Sequence, residues 1–168
     1  TAPVSLQPPK NAKIINVESA GEMFTAVKNN FKKSDCLIMA AAVSDYTPAK
    51  RSKLKIKKEI SEFTLSLKPT KDILAWAGNN KSKKQIVIGF ALEDMNLKKN
   101  TEKKMKQKNI DMIVANTTRA IGSEKSTVHI KAVNGPWQSL TNSAKTNSAG
   151  RIIHIAEKLA STAPKKTL

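Results

Sequence analysis

The apolar run from Cys36 to Val43, Cys-Leu-Ile-Met-Ala-Ala-Ala-Val, constrains the fold of this chain more than any other stretch. Because no polar residue alternates with the apolar ones, the run predicts a strand buried on both faces, as in a parallel sheet. Cys36 is then expected to be a small core residue rather than a nucleophile, since burial raises the pKa of a thiol. The run ends at Ser44 and Asp45, and open α/β sheets bind their ligands at such carboxyl ends of strands.

The residues after this strand indicate the chemistry of the ligand. Three consecutive alanines at 40–42 leave room for a flat ring or a phosphate to approach the backbone, and Asp45 is the first charge that such a ligand meets. Ten residues further on, Lys55 opens a Lys-x-Lys-Lys cluster. A carboxylate at a strand end followed by a mobile lysine flap suits a phosphorylated substrate accompanied by a metal ion.

The net charge of +17 on 168 residues would suit a nucleic acid, an anionic membrane or a phosphate-rich small ligand. Only three of the 30 basic residues are arginines, and aromatic residues make up 4 % of the chain. Reading base edges favours arginine, and binding single strands favours aromatic platforms. Most of the charge is therefore expected to be a solvated surface, with a lysine-rich nucleic-acid-binding module kept as an alternative.

Length and cysteine usage set further bounds. With 168 residues and 39 % hydrophobic content, we expect one domain over 1–168. A single cysteine excludes an internal disulfide, and His129 and His154 show no zinc spacing. The apolar runs fall far short of a membrane span and no signal peptide begins the chain, which predicts a cytoplasmic protein with no membrane partner.

Along the chain, predicted strands alternate with predicted helices through short connections, the pattern of a parallel sheet. A capping box at Ser19–Glu22 opens the first helix. The serine, asparagine and threonine residues of 139–149 predict a loop, and 163–168 a disordered tail. The other expected elements are strands at 13–17, 36–43, 85–92, 111–118 and 127–133, and helices at 71–79, 96–108 and 150–162.

A projecting ribbon is expected after the first ligand loop. Residues 53–58 and 62–68 predict its two arms, within a flap and ribbon that spans 51–68. The segment Phe63-Thr-Leu-Ser-Leu alternates apolar and polar residues, so only one of its faces can be buried. An arm of this kind often pairs with a second subunit.

Two lysines on the helix at 96–108 have two possible roles. Lys104 and Lys108 are four residues apart, so they share a face. They could belong to a solvated helix whose last-turn lysines interact favourably with the helix dipole, which is the interpretation that charge alone favours. They could also bind phosphate groups.

Five ordered motifs resemble one known family. They are 40–46 (Ala-Ala-Ala-Val-Ser-Asp-Tyr), 55–58 (Lys-Ile-Lys-Lys), 67–74 (Leu-Lys-Pro-Thr-Lys-Asp-Ile-Leu), 89–93 (Gly-Phe-Ala-Leu-Glu) and 108–116 (Lys-Asn-Ile-Asp-Met-Ile-Val-Ala-Asn). In this order and spacing, over about residues 3–160, the set resembles phosphopantothenate–cysteine ligase, the synthetase half of the bifunctional flavoprotein of coenzyme A biosynthesis. The resemblance implies a Rossmann-like, mostly parallel sheet with helices on both faces, and a homodimer formed through the ribbon.

The resemblance also implies a two-step reaction with CTP and Mg²⁺. 4'-Phosphopantothenate attacks the α-phosphate of CTP to give an acyl-cytidylate and pyrophosphate. The amine of cysteine then displaces CMP and forms (R)-4'-phosphopantothenoyl-cysteine. Two polyanions must meet, so lysines and magnesium offset their repulsion and the charge of the developing pyrophosphate.

Residue roles follow from the resemblance position by position. Asp45 and Lys55 would be catalytic, whereas no metal ligand is assigned. The positions implied to contact the nucleotide or its phosphates are Met39, Ala40, Ala41, Asp45, Lys55, Lys71, Asp72, Ile73, Leu74, Phe90, Lys104 and Lys108.

The chain also departs from the family pattern. The family begins with a strand, a glycine-containing phosphate loop and a helix whose asparagine binds the acyl intermediate, and none of these precedes Thr1. The flavin-binding decarboxylase domain is absent too, so FMN is not expected in this chain, and such a domain is expected in the parent chain. A non-catalytic nucleotide-binding relic of the ligase is the other alternative.

Overall fold

The computed structural model describes residues 1–4, 7–50, 52, 54–55 and 63–162. By the density of its internal contacts, the chain divides into two units. Unit 1 comprises Thr1–Val27 and Ala42–Asp72, and unit 2 comprises Lys28–Ala41 and Ile73–Leu168. The expectation of one domain stays a prediction.

The described residues form seven strands, four α-helices and a short 3₁₀-helix at Thr118–Ala120. The strands are β1 (Cys36–Met39), β2 (Tyr46–Pro48), β3 (Leu67–Pro69), β4 (Ile86–Leu92), β5 (Met112–Asn116), β6 (Lys125–Ala132) and β7 (Trp137–Ala144), and the helices are α1 (Ala20–Phe31), α2 (Ile73–Asn80), α3 (Leu97–Gln107) and α4 (Lys145–Thr162). None of these helices has the length and apolar character needed to cross a bilayer.

Unit 2 is built on a sheet with the strand order β1-β4-β5-β6-β7. Strands β1, β4 and β5 run parallel, with Met39 opposite Gly89 and Ile88 opposite Met112. Strands β6 and β7 extend the sheet in antiparallel fashion. The predicted Rossmann-like α/β fold is confirmed, and the antiparallel pair makes the sheet a mixed one.

Helices cover both faces of this sheet, as predicted. On one face, alternate residues of β4 and β5 such as Val87 and Ile113 pack with Phe31 of α1, Ala77 of α2 and Met105 of α3. The opposite face packs against α4, in a cluster whose members are Ile86, Ile88, Met112, Val114, Val128, Ile130, Ala132, Ile152, Ile155 and Ala156. Each large aliphatic side chain buried in this way contributes about 1.5–3 kcal/mol.

The first strand differs from the sequence prediction. Regular pairing ends at Met39 rather than Val43, and the residues of β1 alternate between exposed and half-buried. Strand β1 pairs with β4, while α4 packs mainly on β4, β6 and β7, so among the described residues one face of β1 is left exposed. Cys36 and Ile38 are therefore exposed. The expectation that Cys36 is a core residue is wrong.

Two other element predictions are corrected. Residues 13–17 form no regular strand, although Val17 N–H donates to Thr1 O at 3.0 Å and the Thr1 amine to Ile15 O at 2.6 Å. The predicted loop at 139–149 forms the end of β7 and the start of α4. The polar side chains of this segment predict a loop, but its backbone pairs with β6, and such pairing does not depend on side-chain polarity.

In unit 1, β2 and β3 form an antiparallel pair, with Tyr46 opposite Pro69 and Pro48 opposite Leu67. The sequence placed the partner of β3 at 53–58 instead. Residues 51, 53 and 56–62 of the flap, and the tail at 163–168, lie outside the described residues.

The start of α1 follows the sequence prediction. The Ser19 hydroxyl accepts the Glu22 N–H at 3.2 Å, and Glu22 Oε2 accepts the Glu18 N–H at 2.9 Å. These bonds satisfy N–H groups that have no partner within the helix.

Replacing Gly78 with alanine is expected to destabilise the protein. A Cβ at this position would lie 1.9 Å from Lys108 O and 2.8 Å from Asn109 O. Since these are backbone atoms, we expect a loss of about 2–4 kcal/mol in the free energy of unfolding, measured by urea denaturation followed by circular dichroism.

Gly150 of α4 provides the matched control, because nothing lies within 4 Å of a Cβ added there. Helix propensity alone predicts that Gly150→Ala stabilises by up to about 1 kcal/mol. A Gly78→Ala variant as stable as the parent would contradict the close approach of α2 to the turn after α3.

Candidate functional site

The predicted site residues fall in both units. Those in unit 1 are Asp45, Lys55, Lys71 and Asp72. Those in unit 2 are Met39, Ala40, Ala41, Ile73, Leu74, Phe90, Lys104 and Lys108.

In unit 2, Met39 at the carboxyl end of β1 and Leu74 of α2 lie on the same face of the sheet. Met39 lies opposite Gly89 in the parallel register. A Cβ on Gly89 would lie 2.4 Å from Leu74 Cδ2, so the absence of a side chain at Gly89 lets Leu74 of α2 pack directly on the strand. Ile73 beside it is buried.

Phe90 lies on the other face of β4. Successive side chains of a strand point to opposite faces, so Phe90 points away from the face that receives Leu74 at Gly89. Phe90 is 36 % exposed, and Ala40 and Ala41 are exposed after the end of β1. The predicted contacts of these three residues with a nucleotide stay predictions.

A carboxylate and an ammonium group meet just beyond the end of β4. Lys104 Nζ of α3 lies 2.5 Å from Glu93 Oε1. The side chain of Glu93 is 12 % exposed and that of Lys104 is 47 % exposed. The Lys104 ammonium is therefore paired with a protein carboxylate, and nearly half of the side chain is open to solvent. The pair lies at the carboxyl end of the sheet, where open α/β folds bind ligands.

The neighbours of Glu93 fix its position. Its backbone N–H donates to Asn116 O at the end of β5, at 3.0 Å. Its Oε2 accepts a hydrogen bond from Asn100 Nδ2 at 3.4 Å, and Asn100 also donates to Met95 O at 3.0 Å. The loop between β4 and α3 is thus tied both to the next strand and to the first turn of the helix.

Lys108 directly follows α3 and serves as its C-cap. Its backbone N–H donates to Lys104 O, and its side chain is half-buried. Both lysines belong to the last turn of the helix or its cap, where a cation interacts favourably with the helix dipole. The helix itself agrees with its predicted bounds to within one residue.

In unit 1, Thr70 fixes the backbone of the Asp45 loop. The Thr70 N–H donates to Asp45 O at 2.8 Å and the Thr70 hydroxyl donates to Ser44 O at 2.5 Å. The helix predicted at 71–79 begins at Ile73 instead, and the Thr70 hydroxyl donates to Ser44 O rather than capping that helix. The Asp45 side chain remains exposed.

Lys71 and Lys55 occupy different surroundings in unit 1. The Lys71 ammonium lies over the ring of Phe24, 4.7 Å from its centroid, which is a cation–π contact. Asp72, the next residue, is exposed. Lys55 is exposed as well, after a local turn in which Ser52 and Leu54 bond to each other.

Metal-binding chemistry depends on side-chain clusters. Within the part of the chain that the structure describes, no group of three or more His, Cys, Asp and Glu side chains could hold a metal ion. Mg²⁺ commonly binds through one or two carboxylates together with substrate phosphates, and such a site needs no such cluster.

Sequence reasoning missed Glu93 and Thr70 as residues that build the site. For Glu93 there was a signal, since a carboxylate directly after a buried apolar strand is costly unless a cation neutralises it. For Thr70 there was none, because its bonds to the Ser44–Asp45 backbone span 26 positions in the chain.

The sheet topology, the helices on both faces and the ligand-type residues at the strand ends define an α/β protein of the Rossmann-like class. More narrowly, the chain belongs to the family described as DNA/pantothenate metabolism flavoprotein C-terminal domain, which it matches over residues 1–159. The resemblance seen in the five sequence motifs is thereby confirmed at the level of the family.

Curated relatives share about two fifths of the aligned residues. The chain is 44 % identical to the coenzyme A biosynthesis bifunctional protein CoaBC of Bacillus subtilis (strain 168) over 124 residues, which are 73 % of this chain and 30 % of CoaBC. It is 43 % identical to a cysteine/cysteine sulfinic acid decarboxylase from an unknown prokaryotic organism, over 72 % of this chain and 34 % of that protein. The chain thus spans about a third of these relatives.

A solved structure agrees with this assignment. The crystal structure of the C-terminal domain of the coenzyme A biosynthesis bifunctional protein CoaBC matches with a TM-score of 0.79 and 32 % sequence identity. The match covers 94 % of this chain and 71 % of that one.

We expect the exposed Cys36 to react slowly with iodoacetamide at pH 8 in the folded protein. Although the residue as a whole is exposed, the surrounding protein partly shields its thiol from water. This desolvation raises the pKa of the thiol above the ordinary 9.0, and the charges of Asp111 and Asp35 raise it further. Only the thiolate reacts. Mass spectrometry of alkylation against pH should show a slower reaction than in guanidinium, where the thiol has its ordinary pKa.

The same pKa shift has a defined sign for stability. The folded state holds the thiol proton more tightly, so this contribution is complete below pH 9.0 and is lost as the pH rises through the folded-state pKa. Asp35→Asn should speed the alkylation of folded Cys36. Equal rates in the folded and unfolded chains would show that the thiol is unperturbed.

Proposed function

We propose that this chain is the synthetase portion of a phosphopantothenate–cysteine ligase of coenzyme A biosynthesis. The observation that carries the proposal is Lys104, whose side chain is 47 % exposed and whose ammonium lies at the carboxyl end of β4, in a chain that matches the flavoprotein C-terminal domain family over residues 1–159. A cation at this edge of a Rossmann-like sheet suits a phosphorylated ligand. The CoaBC relative, named for coenzyme A biosynthesis, supports the choice of pathway.

In the first proposed step, a carboxylate oxygen of 4'-phosphopantothenate attacks the α-phosphorus of CTP. The bond from that phosphorus to the bridging oxygen breaks, and pyrophosphate leaves with the electron pair. Negative charge accumulates on the leaving group, so ammonium groups beside it lower the barrier. In unit 2 this role falls to Lys104 and Lys108, and in unit 1 to Lys55.

In the second step, the amine of cysteine attacks the acyl carbon of the acyl-cytidylate. The carbon–oxygen bond to CMP breaks, an amide forms and the nitrogen loses a proton. CMP leaves as a phosphate monoester, and the same kind of cationic surroundings stabilises it.

Mg²⁺ would bind to the phosphates of CTP and neutralise part of their charge. Asp45 is the residue proposed to approach the metal-bound nucleotide, because its side chain is exposed while Thr70 holds its backbone. A single carboxylate with substrate phosphates is a donor set that suits Mg²⁺.

Recognition of the cytosine is proposed to use the main chain at 71–74. Ile73 and Leu74 lie in the first turn of α2, where backbone N–H groups have no partner within the helix. Such groups can donate to the acceptor atoms of a base.

A homodimer is proposed to form through the ribbon in unit 1. Phe63, Leu65 and Leu67 alternate along the chain and are all more than half exposed, at 67, 51 and 55 %. A row of exposed apolar side chains of this kind marks an interaction surface. A flavin-binding decarboxylase domain is proposed to accompany this domain in the parent protein, as the flavoprotein family name suggests.

Lys55→Ala and Asp45→Ala are expected to lower pyrophosphate release from CTP at least ten-fold, on the order of the loss of one charged transition-state contact. The assay contains Mg²⁺ and phosphopantothenate and omits cysteine, so it isolates the first step. It compares this chain with an amino-terminally extended one. Lys50→Ala is the matched control, since Lys50 is an exposed lysine without a proposed role.

The outcomes separate the three candidate functions. Turnover that falls with Lys55→Ala but not with Lys50→Ala supports the ligase. CTP binding without turnover in the extended chain supports a non-catalytic relic. Absence of CTP binding, with DNA or RNA binding that weakens steeply with salt, supports the nucleic-acid-binding module.

Leu65→Asp is expected to convert the proposed dimer to a monomer, measured by sedimentation velocity, because a charge would be buried in an apolar contact. Thr64→Asp adds the same charge to the neighbouring exposed polar residue, which is not one of the three apolar residues, and should leave the mass unchanged. If the protein without any substitution sediments as a monomer, the proposed dimer is contradicted.

A further inference from the structure

Glu93 has no role in the proposed reaction, yet the structure largely buries its side chain beside Lys104, one of the two lysines proposed to act in unit 2. Three contacts hold it: its backbone N–H on Asn116 O, its Oε2 beside Asn100 Nδ2, and its Oε1 2.5 Å from Lys104 Nζ. The two hydrogen-bonding partners come from β5 and the start of α3. The position of Glu93 is therefore set independently of Lys104.

The contact between Glu93 and Lys104 is an ion pair rather than an aligned hydrogen bond. Glu93 Oε1 is buried and, among the described residues, no donor is aligned with it as a hydrogen bond, although the Lys104 ammonium is in ion-pair contact. A buried carboxylate oxygen without an aligned donor is unfavourable unless a cation stays near it. Glu93 therefore favours conformations of Lys104 that keep the ammonium at the end of β4.

The Lys104 side chain has four rotatable bonds, and ordering it upon ligand binding would cost conformational entropy. In this structure the Lys104 ammonium already lies against Glu93 Oε1, and 47 % of the Lys104 side chain is exposed. The ammonium carries three N–H donors. The remaining donors can meet a phosphate without a search through rotamers. Preorganisation of this kind improves both binding and transition-state stabilisation.

We propose that Glu93 is a positioning residue, which holds the Lys104 ammonium at the carboxyl end of β4 ready for the nucleotide phosphates. This inference rests on the proposed function for the identity of the ligand. A carboxylate near the site repels phosphate, so removing its charge would strengthen binding if charge alone mattered. Weaker binding after its removal would therefore reveal positioning.

The test is a double-mutant cycle on CTP·Mg²⁺ affinity, measured by calorimetry. Glu93→Gln and Lys104→Ala are each expected to weaken binding about ten-fold, and the double variant should be no weaker than Lys104→Ala alone, because the two residues act as one unit. Glu93→Asp, which keeps the charge, should restore part of the loss.

Two matched controls remove a charge elsewhere. Glu157→Gln neutralises an exposed carboxylate on α4, and Lys103→Ala removes an exposed lysine beside Lys104. Neither should change CTP affinity by more than about two-fold, as expected for solvated surface charges.

A second measurement does not depend on CTP. The ¹⁵Nζ signal of Lys104, assigned with Lys104→Arg, should shift and broaden in Glu93→Gln if Glu93 orders the ammonium. An unchanged signal overturns the proposal, as do independent multiplicative losses in the cycle. A shifted signal in a protein that does not bind CTP keeps the positioning of Lys104 and overturns the proposed function alone.

Discussion

The carboxylate of Asp111 is the interaction on which the sheet of unit 2 depends. Its Oδ1 pairs with Lys81 Nζ at 2.5 Å and its Oδ2 accepts the Val87 N–H at 2.8 Å. Its main chain bonds to Val87 O and to the Val133 N–H. One residue thus joins the beginnings of β4 and β5 to the end of β6. Because parallel strands keep their register, fixing these ends also aligns the opposite ends, where Glu93 and Asn116 lie.

In this protein, the positions of individual lysines tell more about a binding site than the total net charge does. The excess of +17 is spread over many solvated lysines, whose individual contributions are small and screened by salt. Lys104 differs because a mostly buried carboxylate holds it at the sheet edge. Lys71 differs because its ammonium lies over the ring of Phe24. These two contacts place single ammonium groups at defined positions, which the other lysines of a solvated surface lack.

The sequence pattern predicted those strands and helices whose own residues show a clear apolar or helical periodicity. Strands β4 and β5 are continuous apolar runs and were found within one or two residues, as was α3. The prediction failed for β7, because its many polar side chains are typical of a loop while its backbone pairs with β6 as a strand. For the site, sequence identified Lys104 as a candidate but could not reveal its partner Glu93, since contacts between a loop and a helix face depend on how the two pack.

The sequence by itself determined the α/β class, the family motifs and the lysine-rich chemistry, because these depend on residue type and spacing along the chain. Only the tertiary structure decided that β1 is covered on one face and leaves Cys36 exposed. It also decided that Thr70 holds the Asp45 loop and that Glu93 holds Lys104. The physical reason is common to all three: burial, hydrogen bonding and ion pairing depend on neighbours distant in sequence, which only the packed chain brings together.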